Sequence, residues 1–334
     1  MTFAIAILNF NGSILLKKFV PDIIKYCKNS NIYIIDNNST DSSIDFISKN
    51  YPQIKIINLS TNMGYAKGYN EGVKSIAEDV IFFLNNDAVF LDHYSYDEIC
   101  RAFKKNELVS IAQPRIIDYN NKSKYEYAGA SGGYIDFFGY PFCRGRILNK
   151  LESINKYKTT REIFWASGSC FVIRKNIFNL LGGFDEDFFC HMEEIDLCWR
   201  LKNIDSNYKI ITVGKSKVYH IGGGTMNYGS SNKNYLNFRN SFMMMIKNLP
   251  KSYFAFSLLL RVFSDFFILI FSLITFNFKL FFPIISAYYY NIIYFRKNLS
   301  KRKSTMVYYK YFYTFSIYLI IIFLEKRNFH LLNS

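Results

Sequence analysis

Short apolar runs alternate with helical patterns over the first 84 residues, and this alternation constrains the fold more than any other feature. The expected strands are Phe3–Leu8, Ile32–Ile35, Ile54–Leu59 and Val80–Leu84, and the expected helices lie near Ile14–Cys27, Ser42–Lys49 and Ala66–Ala77. Such strand–helix units build a parallel sheet that is covered on both faces. The pattern therefore predicts an α/β domain of the nucleotide-binding type, with ligand loops at the carboxyl ends of its strands.

The middle of the chain is less regular. Extended segments are expected at Val109–Pro114, Ile163–Ile173 and Tyr208–Val213, and a helix at Glu194–Leu201. A loop rich in glycine and tyrosine lies at 127–145. A length of 334 residues suits one large α/β domain with an appendage, or two ordinary domains. We expect the α/β domain to occupy 1–245 and a helical tail to occupy 246–334.

The tail carries most of the positive charge. The net charge of the chain is +15, and residues from 251 onward contribute 11 Lys and Arg against 2 Asp and Glu. Its apolar segments are Ser252–Ile274, Leu280–Phe295 and Val307–Leu324. Arg261 and Asp265 interrupt the first, and each costs on the order of 2.5–3.5 kcal/mol at a bilayer centre. Attachment to an anionic membrane surface is favoured over spanning the bilayer and over packing only against protein.

The cysteines and the N-terminus indicate the cytoplasm. The six cysteines form no CxxC pair and have no zinc-site spacing, so we expect reduced thiols. The apolar N-terminus lacks a basic flank and reaches Asn9 after eight residues, which favours a buried strand over a signal peptide.

Three acids cluster where a loop becomes a helix. Glu193, Glu194 and Asp196 follow a Gly-Gly-Phe-Asp turn. A helix N-terminus favours ionised carboxylates, whereas crowding of like charges raises the pKa of one of them toward that of a general base. The alternative is an ordinary helix start in which Asp196 pairs with Arg200.

Polar loops follow the expected strands. Asn9 and Asn11 precede Gly12, which suits a tight turn or a close approach to a ligand. Asp36 ends the second strand, where it can accept a hydrogen bond from a base or ribose, and Asn38 follows. Helix capping alone is the competing explanation for this loop.

The loop after the third strand leads into a glycine-rich helix. Glycines occur at 64, 68 and 72, so one helix face can meet another backbone, a flat ligand or ordinary packing partners. Lys67 lies near the helix N-terminus, where it could meet a phosphate, and Asn62 precedes it.

The fourth strand ends at Asn85, Asn86 and Asp87. A hard divalent cation that bridges a diphosphate needs one or two carboxylates at such a strand end. His220, before a run of glycines, could complete the site, although a lone histidine more often has a structural role.

The order of these motifs resembles the inverting family 2 glycosyltransferases of the GT-A fold, particularly their rhamnosyltransferase-like branch. The resemblance covers about residues 3–245. The motifs are Asn9-Phe-Asn-Gly, Asp36-Asn-Asn-Ser-Thr-Asp, Asn62-Met-Gly-Tyr-Ala-Lys-Gly, Leu84-Asn-Asn-Asp, Trp165-Ala-Ser-Gly-Ser-Cys, Gly182-Gly-Phe-Asp-Glu-Asp-Phe-Phe, Glu193-Glu-Ile-Asp-Leu-Cys-Trp-Arg and Val218-Tyr-His.

The resemblance implies a role for each site residue. Glu194 corresponds to the catalytic base, with Glu193 beside it, and Asp87 and His220 to the site for Mg²⁺ or Mn²⁺ and diphosphate. The acceptor and donor-sugar pocket corresponds to Trp165, Gly168 and Ser169. The expected nucleotide-binding residues are Asn9, Asn11, Asp36, Asn38, Asn62, Gly64, Lys67 and Asn86. Two positions depart from the family pattern: Asn85 replaces the first acid of a DxD motif, and the base is Glu rather than Asp.

The resemblance also implies a reaction and its partners. The expected donor is a nucleoside-diphosphate sugar, and the expected acceptor is a saccharide, free or lipid-linked, in cell-surface polysaccharide synthesis at the cytoplasmic face of the plasma membrane. A sugar-1-phosphate nucleotidyltransferase would need Arg and Lys in its glycine-rich loop, and residues 9–13 have neither. A non-catalytic basic module for membrane or nucleic acid would not explain the strand-end acids, and no nucleic-acid partner is expected.

Overall fold

A computed structural model describes residues 1–126, 129–136, 138–147, 150–222, 230–302 and 312–313, and it confirms the predicted alternation in the first 84 residues. The strands are β1 (Phe3–Asn9), β2 (Asn31–Asp36), β3 (Lys55–Asn58) and β4 (Val80–Leu84). The helices between them are α1 (Ser13–Tyr26), α2 (Ser43–Asn50) and α3 (Gly64–Val73). The third helix ends four residues earlier than expected.

The rest of the α/β region adds shorter elements. Its strands are β5 (Ala88–Val89), β6 (Val109–Asp118), β7 (Gly133–Asp136), β8 (Pro141–Cys143), β9 (Arg146–Ile147), β10 (Lys150–Leu151), β11 (Arg161–Glu162), β12 (Cys170–Arg174) and β13 (Lys209–His220). Its helices are α4 (His93–Lys105), α5 (Lys175–Leu180) and α6 (Glu193–Ile204). The continuous extended segment expected at Ile163–Ile173 is wrong, because a turn at Gly168 and Ser169 precedes β12.

One large, mostly parallel sheet organises the domain, in the order β11-β13-β6-β12-β4-β1-β2-β3, with β5 paired to β13. β1, β2, β3 and β4 run parallel to one another, as does β6 to β13. β12 runs antiparallel to β4 and β6. The predicted α/β GT-A class is therefore confirmed.

The two faces of the sheet carry separate hydrophobic cores. Along β1, Ile5 and Ile7 face the core that contains α1 and α4, whereas Ala4 and Ala6 face the core that contains α3 and α6. This alternation follows from the two-residue period of a strand. Burial on both faces explains why the strands are continuous apolar runs.

The glycines of α3 serve helix packing. A Cβ atom on Gly68 would lie 2.8 Å from Cδ1 of Leu8, and one on Gly72 would lie 2.2 Å from Cδ1 of Ile35. Both side chains belong to the sheet beneath the helix. Of the alternatives raised by the glycine spacing, ordinary close packing therefore accounts for these two positions.

The C-terminal elements are α7 (Ser231–Asn248), α8 (Lys251–Ile274), α9 (Phe278–Ile293), α10 (Phe295–Ser300) and β14 (Phe312–Tyr313), which pairs with β7. Among the residues that the structure describes, only α8 is long and apolar enough to cross a membrane. Most of the apolar segment expected at Val307–Leu324 lies outside those residues.

Candidate functional site

The ends of β1 and β4 meet at one side of a cleft. The Asn9 amide donates to Oγ of Ser39 at 3.2 Å and of Ser43 at 3.0 Å. Its Oδ1 accepts from Nδ2 of Asn86 at 3.3 Å. A Cβ atom on Gly12 would lie 2.2 Å from that Oδ1, so only glycine allows the loop to pass this close. The structure thus brings together two of the predicted nucleotide-binding residues.

Asp36 presents a free acceptor to this cleft. Its Oδ2 accepts the backbone N–H of Ser39 at 3.0 Å, a bond within the loop that precedes α2. Its Oδ1 is buried and has no hydrogen-bond partner within the described chain. A buried acceptor without a donor is costly, so an incoming N–H or O–H group would stabilise it. Asn11 and Asn38 have left-handed backbone at φ 50° and 65°, and both are exposed on the same loops.

The loop after β3 is tied to β2 by a residue that sequence reasoning missed. Asn37 donates to Oδ1 of Asn62 at 2.9 Å and accepts the N–H of Met63 at 2.8 Å. Gly64 begins α3 with a left-handed φ of 73°, which favours glycine there. Lys67 lies 3.6 Å from Glu186 in an exposed ion pair, near the start of the same helix.

Pairing of β13 with β5 places His220 beside Asp87. His220 is the register partner of Ala88, and its Nε2 lies 2.9 Å from Oδ1 of Asp87. Its Nδ1 lies 3.3 Å from Oγ of Ser169 and 3.6 Å from Oε2 of Glu126. Burial lowers the pKa of His220, but the two carboxylates outweigh burial and raise it to about 10. In this arrangement both ring nitrogens face protein oxygen atoms.

The donor set at Asp87 fits a divalent cation shared with a ligand. In the described parts of the chain, Oδ2 of Asp87 accepts no hydrogen bond, so one carboxylate oxygen is available. Those parts contain no cluster of three or more His, Cys, Asp or Glu that could hold a metal alone. Mg²⁺ at nucleotide sites typically uses one or two carboxylates together with phosphate oxygens and water. The residues present therefore suit a metal that binds with a diphosphate.

The turn at Gly168 and Ser169 connects the two halves of the site. Ser169 contacts His220, whereas the carbonyl of Gly168 accepts the hydroxyl of Tyr65 at 3.0 Å. A Cβ atom on Gly168 would lie 3.6 Å from Oε1 of Glu194. Neighbouring Cα atoms are only 3.8 Å apart. Gly168 therefore lies close to Glu194, and the next residue of the turn, Ser169, contacts the Asp87–His220 pair through His220.

Trp165 lies beneath this turn rather than at its tip. Its indole N–H donates to the carbonyl of Tyr134 at 2.8 Å, and its ring fills the space beside Gly133. The side chain is buried. Its assignment to the sugar pocket stays a prediction.

Glu193 and Glu194 begin α6 as a pair of buried or half-buried acids, and neither forms a salt bridge with another described residue. Each keeps one carboxylate oxygen, Oε2, with no hydrogen bond to the described residues. Burial raises the pKa of both, and the negative charge of Glu194 raises that of Glu193 further. The pKa of Glu194 rises to about 7. Other titratable groups close to the pair include Tyr65, Tyr69, Cys143, Cys190, Asp196 and Cys198.

Asp196, on the same helical turn, has the opposite environment. It accepts from Arg200 Nε at 2.8 Å and lies 2.9 Å from Lys247 Nζ. Burial opposes its ionisation, but Lys247 and Arg200 outweigh burial and lower its pKa. The predicted Asp196–Arg200 pair is confirmed.

Comparison with known families identifies the chain. A family model described as Glycosyl transferase family 2 matches residues 4–182. The chain belongs to glycosyl transferase family 2. The match runs from β1 through β12 and α5 and ends at residue 182, so it does not include the Glu193–Glu194 pair.

Curated relatives of this family 2 glycosyltransferase act on sugars according to their names. One is the N-acetylglucosaminyl-diphospho-decaprenol L-rhamnosyltransferase of Mycobacterium tuberculosis, 26% identical over 51% of this chain and 60% of that protein. Another is the dTDP-rhamnosyl transferase RfbF of Shigella flexneri, 25% identical over 68% of this chain and 75% of that protein. The chain spans about 60% of the length of the first relative.

A solved structure supports the fold assignment. The crystal structure of GalNAc-T7 with UDP, GalNAc and Mn²⁺ superimposes with a TM-score of 0.53 at 17% identity. The superposition covers 66% of this chain and 43% of that one. At this identity the likeness concerns the fold alone.

Proposed function

We propose that the protein is an inverting glycosyltransferase that moves a sugar from a nucleoside-diphosphate sugar to a saccharide acceptor in cell-surface polysaccharide synthesis. The observation that carries this proposal is the Gly168–Ser169 turn, which holds a high-pKa carboxylate on one side and the Asp87–His220 pair on the other. A general base on one side of this turn, and on the other side a carboxylate that can hold a metal together with a diphosphate, suit a displacement at the anomeric carbon.

In the proposed reaction, Glu194 accepts the proton of an acceptor hydroxyl. The acceptor oxygen bonds to the anomeric carbon as the bond from that carbon to the diphosphate oxygen breaks, so the configuration inverts. A pKa near 7 lets a substantial fraction of Glu194 be ionised at neutral pH while it remains basic enough to take the proton. The second carboxyl group of the pocket, that of Glu193, lies beside Glu194.

Asp87 would hold Mg²⁺ or Mn²⁺, which supplies charge neutralisation for the leaving diphosphate. His220 orients Asp87 through its Nε2. Glu126 contributes by contacting Nδ1 of the same ring. Asp36 would accept an N–H of the nucleotide base through its free Oδ1. Asn9, Asn86 and Gly12 line the approach between these two acids.

The transfer assay tests the reaction and its stereochemistry together. The full-length protein is first screened for thermal stabilisation by dTDP-rhamnose, UDP-GlcNAc and GDP-mannose, with and without Mg²⁺ or Mn²⁺. We expect one donor to stabilise it in a metal-dependent way, and the Asp87→Asn variant to lose that dependence. The anomeric configuration of the transferred sugar is then determined by NMR. Retention of configuration, or no stabilisation by any nucleotide sugar, would contradict the proposal.

The acceptor is proposed to be a lipid-linked saccharide at the cytoplasmic face of the plasma membrane. The name of the mycobacterial relative specifies a diphospho-decaprenol acceptor, which supports this class for the present chain. The distribution of residues on α8 gives independent support. Ser257, Arg261, Asp265 and Ser272 are its buried residues, whereas its exposed residues include Leu259, Phe263 and Phe267.

This arrangement inverts that of an ordinary surface helix. Arg261 bonds Asp265 at 2.8 Å and Ser241 at 2.9 Å, and the hydroxyl of Tyr288 donates to Asp265 at 2.7 Å. The polar stripe is therefore occupied by the rest of the protein, and the apolar stripe faces outward. A helix anchored at its middle to the catalytic domain suits burial in one leaflet rather than spanning. Nearby cations, Lys251, Lys279 and Arg296, suit anionic headgroups.

Vesicle flotation tests the proposed membrane contact. The full-length protein should float with vesicles of phosphatidylcholine and phosphatidylglycerol, and less with phosphatidylcholine alone. The triple variant Leu259→Ser, Phe263→Ser, Phe267→Ser should stay in solution. A matched control, Ile14→Ser, Tyr94→Ser, Leu180→Ser, removes exposed apolar side chains elsewhere and should still float. Equal flotation of both variants would contradict a docking surface on α8.

A further inference from the structure

The loop that leads into Glu193 has a backbone that L-amino acids rarely adopt. Phe189, His191 and Met192 have φ angles of 62°, 69° and 73°. None of them is glycine, so each is in a strained conformation. Such residues persist only where the surroundings impose the conformation, and they cluster at functional sites. The surroundings that impose it here identify residues that act on the site.

On helix α7, the side-chain amide of Asn240 contacts this loop. Nδ2 of Asn240 donates to the carbonyls of Phe188 at 3.2 Å, Cys190 at 2.9 Å and His191 at 2.7 Å. Asn240 is fully buried. The two N–H groups of this side chain are thus shared among three loop carbonyls, of which that of Phe188 also accepts the N–H of Cys190 at 2.7 Å.

Arg239 fixes the orientation of that amide. Its Nε donates to Oδ1 of Asn240 at 2.7 Å, so the NH₂ end must face the loop. Its Nη2 adds bonds to the carbonyls of Phe188 at 2.8 Å and Asp187 at 3.1 Å. The guanidinium lies 5.0 Å from the ring of Tyr290 on α9. The pair is therefore held from the C-terminal helices.

The opposite side of the loop contacts the cleft. The carbonyl of Phe189 accepts the N–H groups of Tyr65 at 2.9 Å and Ala66 at 3.2 Å, at the start of α3. The carbonyl of Met192 accepts the N–H of Asp196 at 2.8 Å and so begins α6. A shift of the loop would move both the Tyr65–Gly168 contact and the first turn of α6.

We propose that Asn240, with its amide oriented by Arg239, is a positioning residue that holds the 188–192 loop and thereby aims Glu193 and Glu194 into the cleft. Among the described residues, the side chain of Asn240 bonds only loop carbonyls and Arg239, and neither carboxylate, so its role is indirect. The inference rests on the proposed role of Glu194 as the base. It also makes the C-terminal helices part of the scaffold of the site rather than a detachable anchor.

The variant Asn240→Ala tests the proposal against a matched control. Asn203→Ala removes another buried amide between α6 and α7, whose Nδ2 donates to the carbonyl of Asn248 at 3.1 Å, far along the helix from the loop. We expect Asn240→Ala to speed hydrogen–deuterium exchange of amides 189–193, whereas Asn203→Ala should leave them unchanged. Exchange needs no substrate, so this readout is independent of the reaction.

Turnover provides the second readout, with the donor selected from the panel of dTDP-rhamnose, UDP-GlcNAc and GDP-mannose. We expect kcat of Asn240→Ala to fall by about 10- to 100-fold because the base is misplaced, with unchanged thermal stabilisation by the donor. The acid limb of its kcat profile should move to lower pH as water reaches Glu194. Asn203→Ala should change none of these.

Arg239→Lys keeps the test decisive if Asn240→Ala does not fold. Lysine retains the cation but lacks the Nε–H that orients the amide, so faster exchange at 189–193 and a smaller loss of kcat are expected. Unchanged exchange and pH profile in both Asn240→Ala and Arg239→Lys would overturn the inference. Full turnover by Glu194→Gln would instead refute the base assignment and would leave the exchange result as evidence on the loop alone.

Discussion

The first two acids of α6, Glu193 and Glu194, have different surroundings from Asp196, although the three lie within one turn of the helix. In the part of the chain that the structure describes, Glu193 and Glu194 form no salt bridge, and burial raises their pKa values. Asp196 lies between Arg200 and Lys247, which lower its pKa. Acidic residues on one helical turn thus have a proposed role in proton transfer on one side and form ion pairs on the other. The difference lies in which neighbours the fold supplies.

The largest expected effect concerns Glu194→Gln. Replacing the base should lower transfer about 10²- to 10⁴-fold, because the amide cannot accept the acceptor proton. Stabilisation by the donor should persist, because the proposed nucleotide contacts lie at the carboxyl ends of the parallel strands and not on α6. Thermal stability at pH 8 should not decrease, since the change removes an unpaired negative charge. Wild-type turnover in this variant would assign the proton transfer to another group.

The next effect concerns Asp196→Asn, which should destabilise the fold without acting on chemistry directly. Removing this charge takes the acid partner from Arg200 and one of two from Lys247, which keeps Asp185 at 2.6 Å; breaking a buried pair typically costs at most about 3–5 kcal/mol. Urea unfolding measures it. Glu71→Gln, which removes the exposed Glu71–Lys74 pair, is the control and should cost less than about 1 kcal/mol. Equal losses in both variants would show that the buried Asp196 stabilises the fold no more than an exposed ion pair does.

A smaller effect is expected in the pH dependence of stability. The folded protein holds protons on Glu193 and Glu194 above their ordinary pKa of 4.5, so the unfolded state binds fewer protons between pH 4.5 and about 7. The contribution of Glu194 is complete below pH 4.5 and is lost as pH rises through about 7, and the raised pKa of Glu193 acts in the same direction. Glu193→Gln should flatten this decline in Tm. An unchanged slope would show that the pair is not crowded in solution.

Much of the fold followed from local pattern. The strands β1 to β4 and the helices between them were predicted within a few residues, because apolar runs of strand length alternate with helical periods. The turn at Gly168 was missed, because Ile163–Ile173 is largely apolar and the turn depends on hydrogen bonds such as that from Ser167 to Gln113. Helix α7 was also missed.

The acids of the candidate site were predicted from the sequence, whereas the residues that hold the site in place were not. Asp36, Asp87, Glu193 and Glu194 were recognised because each stands at a strand or helix end. Glu126 and Asn240 have no such local signal. Their partners, His220 and the 188–191 carbonyls, lie far away in the chain. Asn37 lies between Asp36 and Asn38, so this run of three polar residues was enough to predict it.

The sequence by itself determined the α/β class, the loops that carry ligand chemistry and the apolar character of the tail, because hydrophobic period and strand-end polarity are local properties. Only the tertiary structure decided which acid is paired and which is free. It also decided which stripe of α8 faces outward and which helix holds the strained loop. Charge pairing and burial depend on neighbours brought together by folding, so no window of sequence contains them.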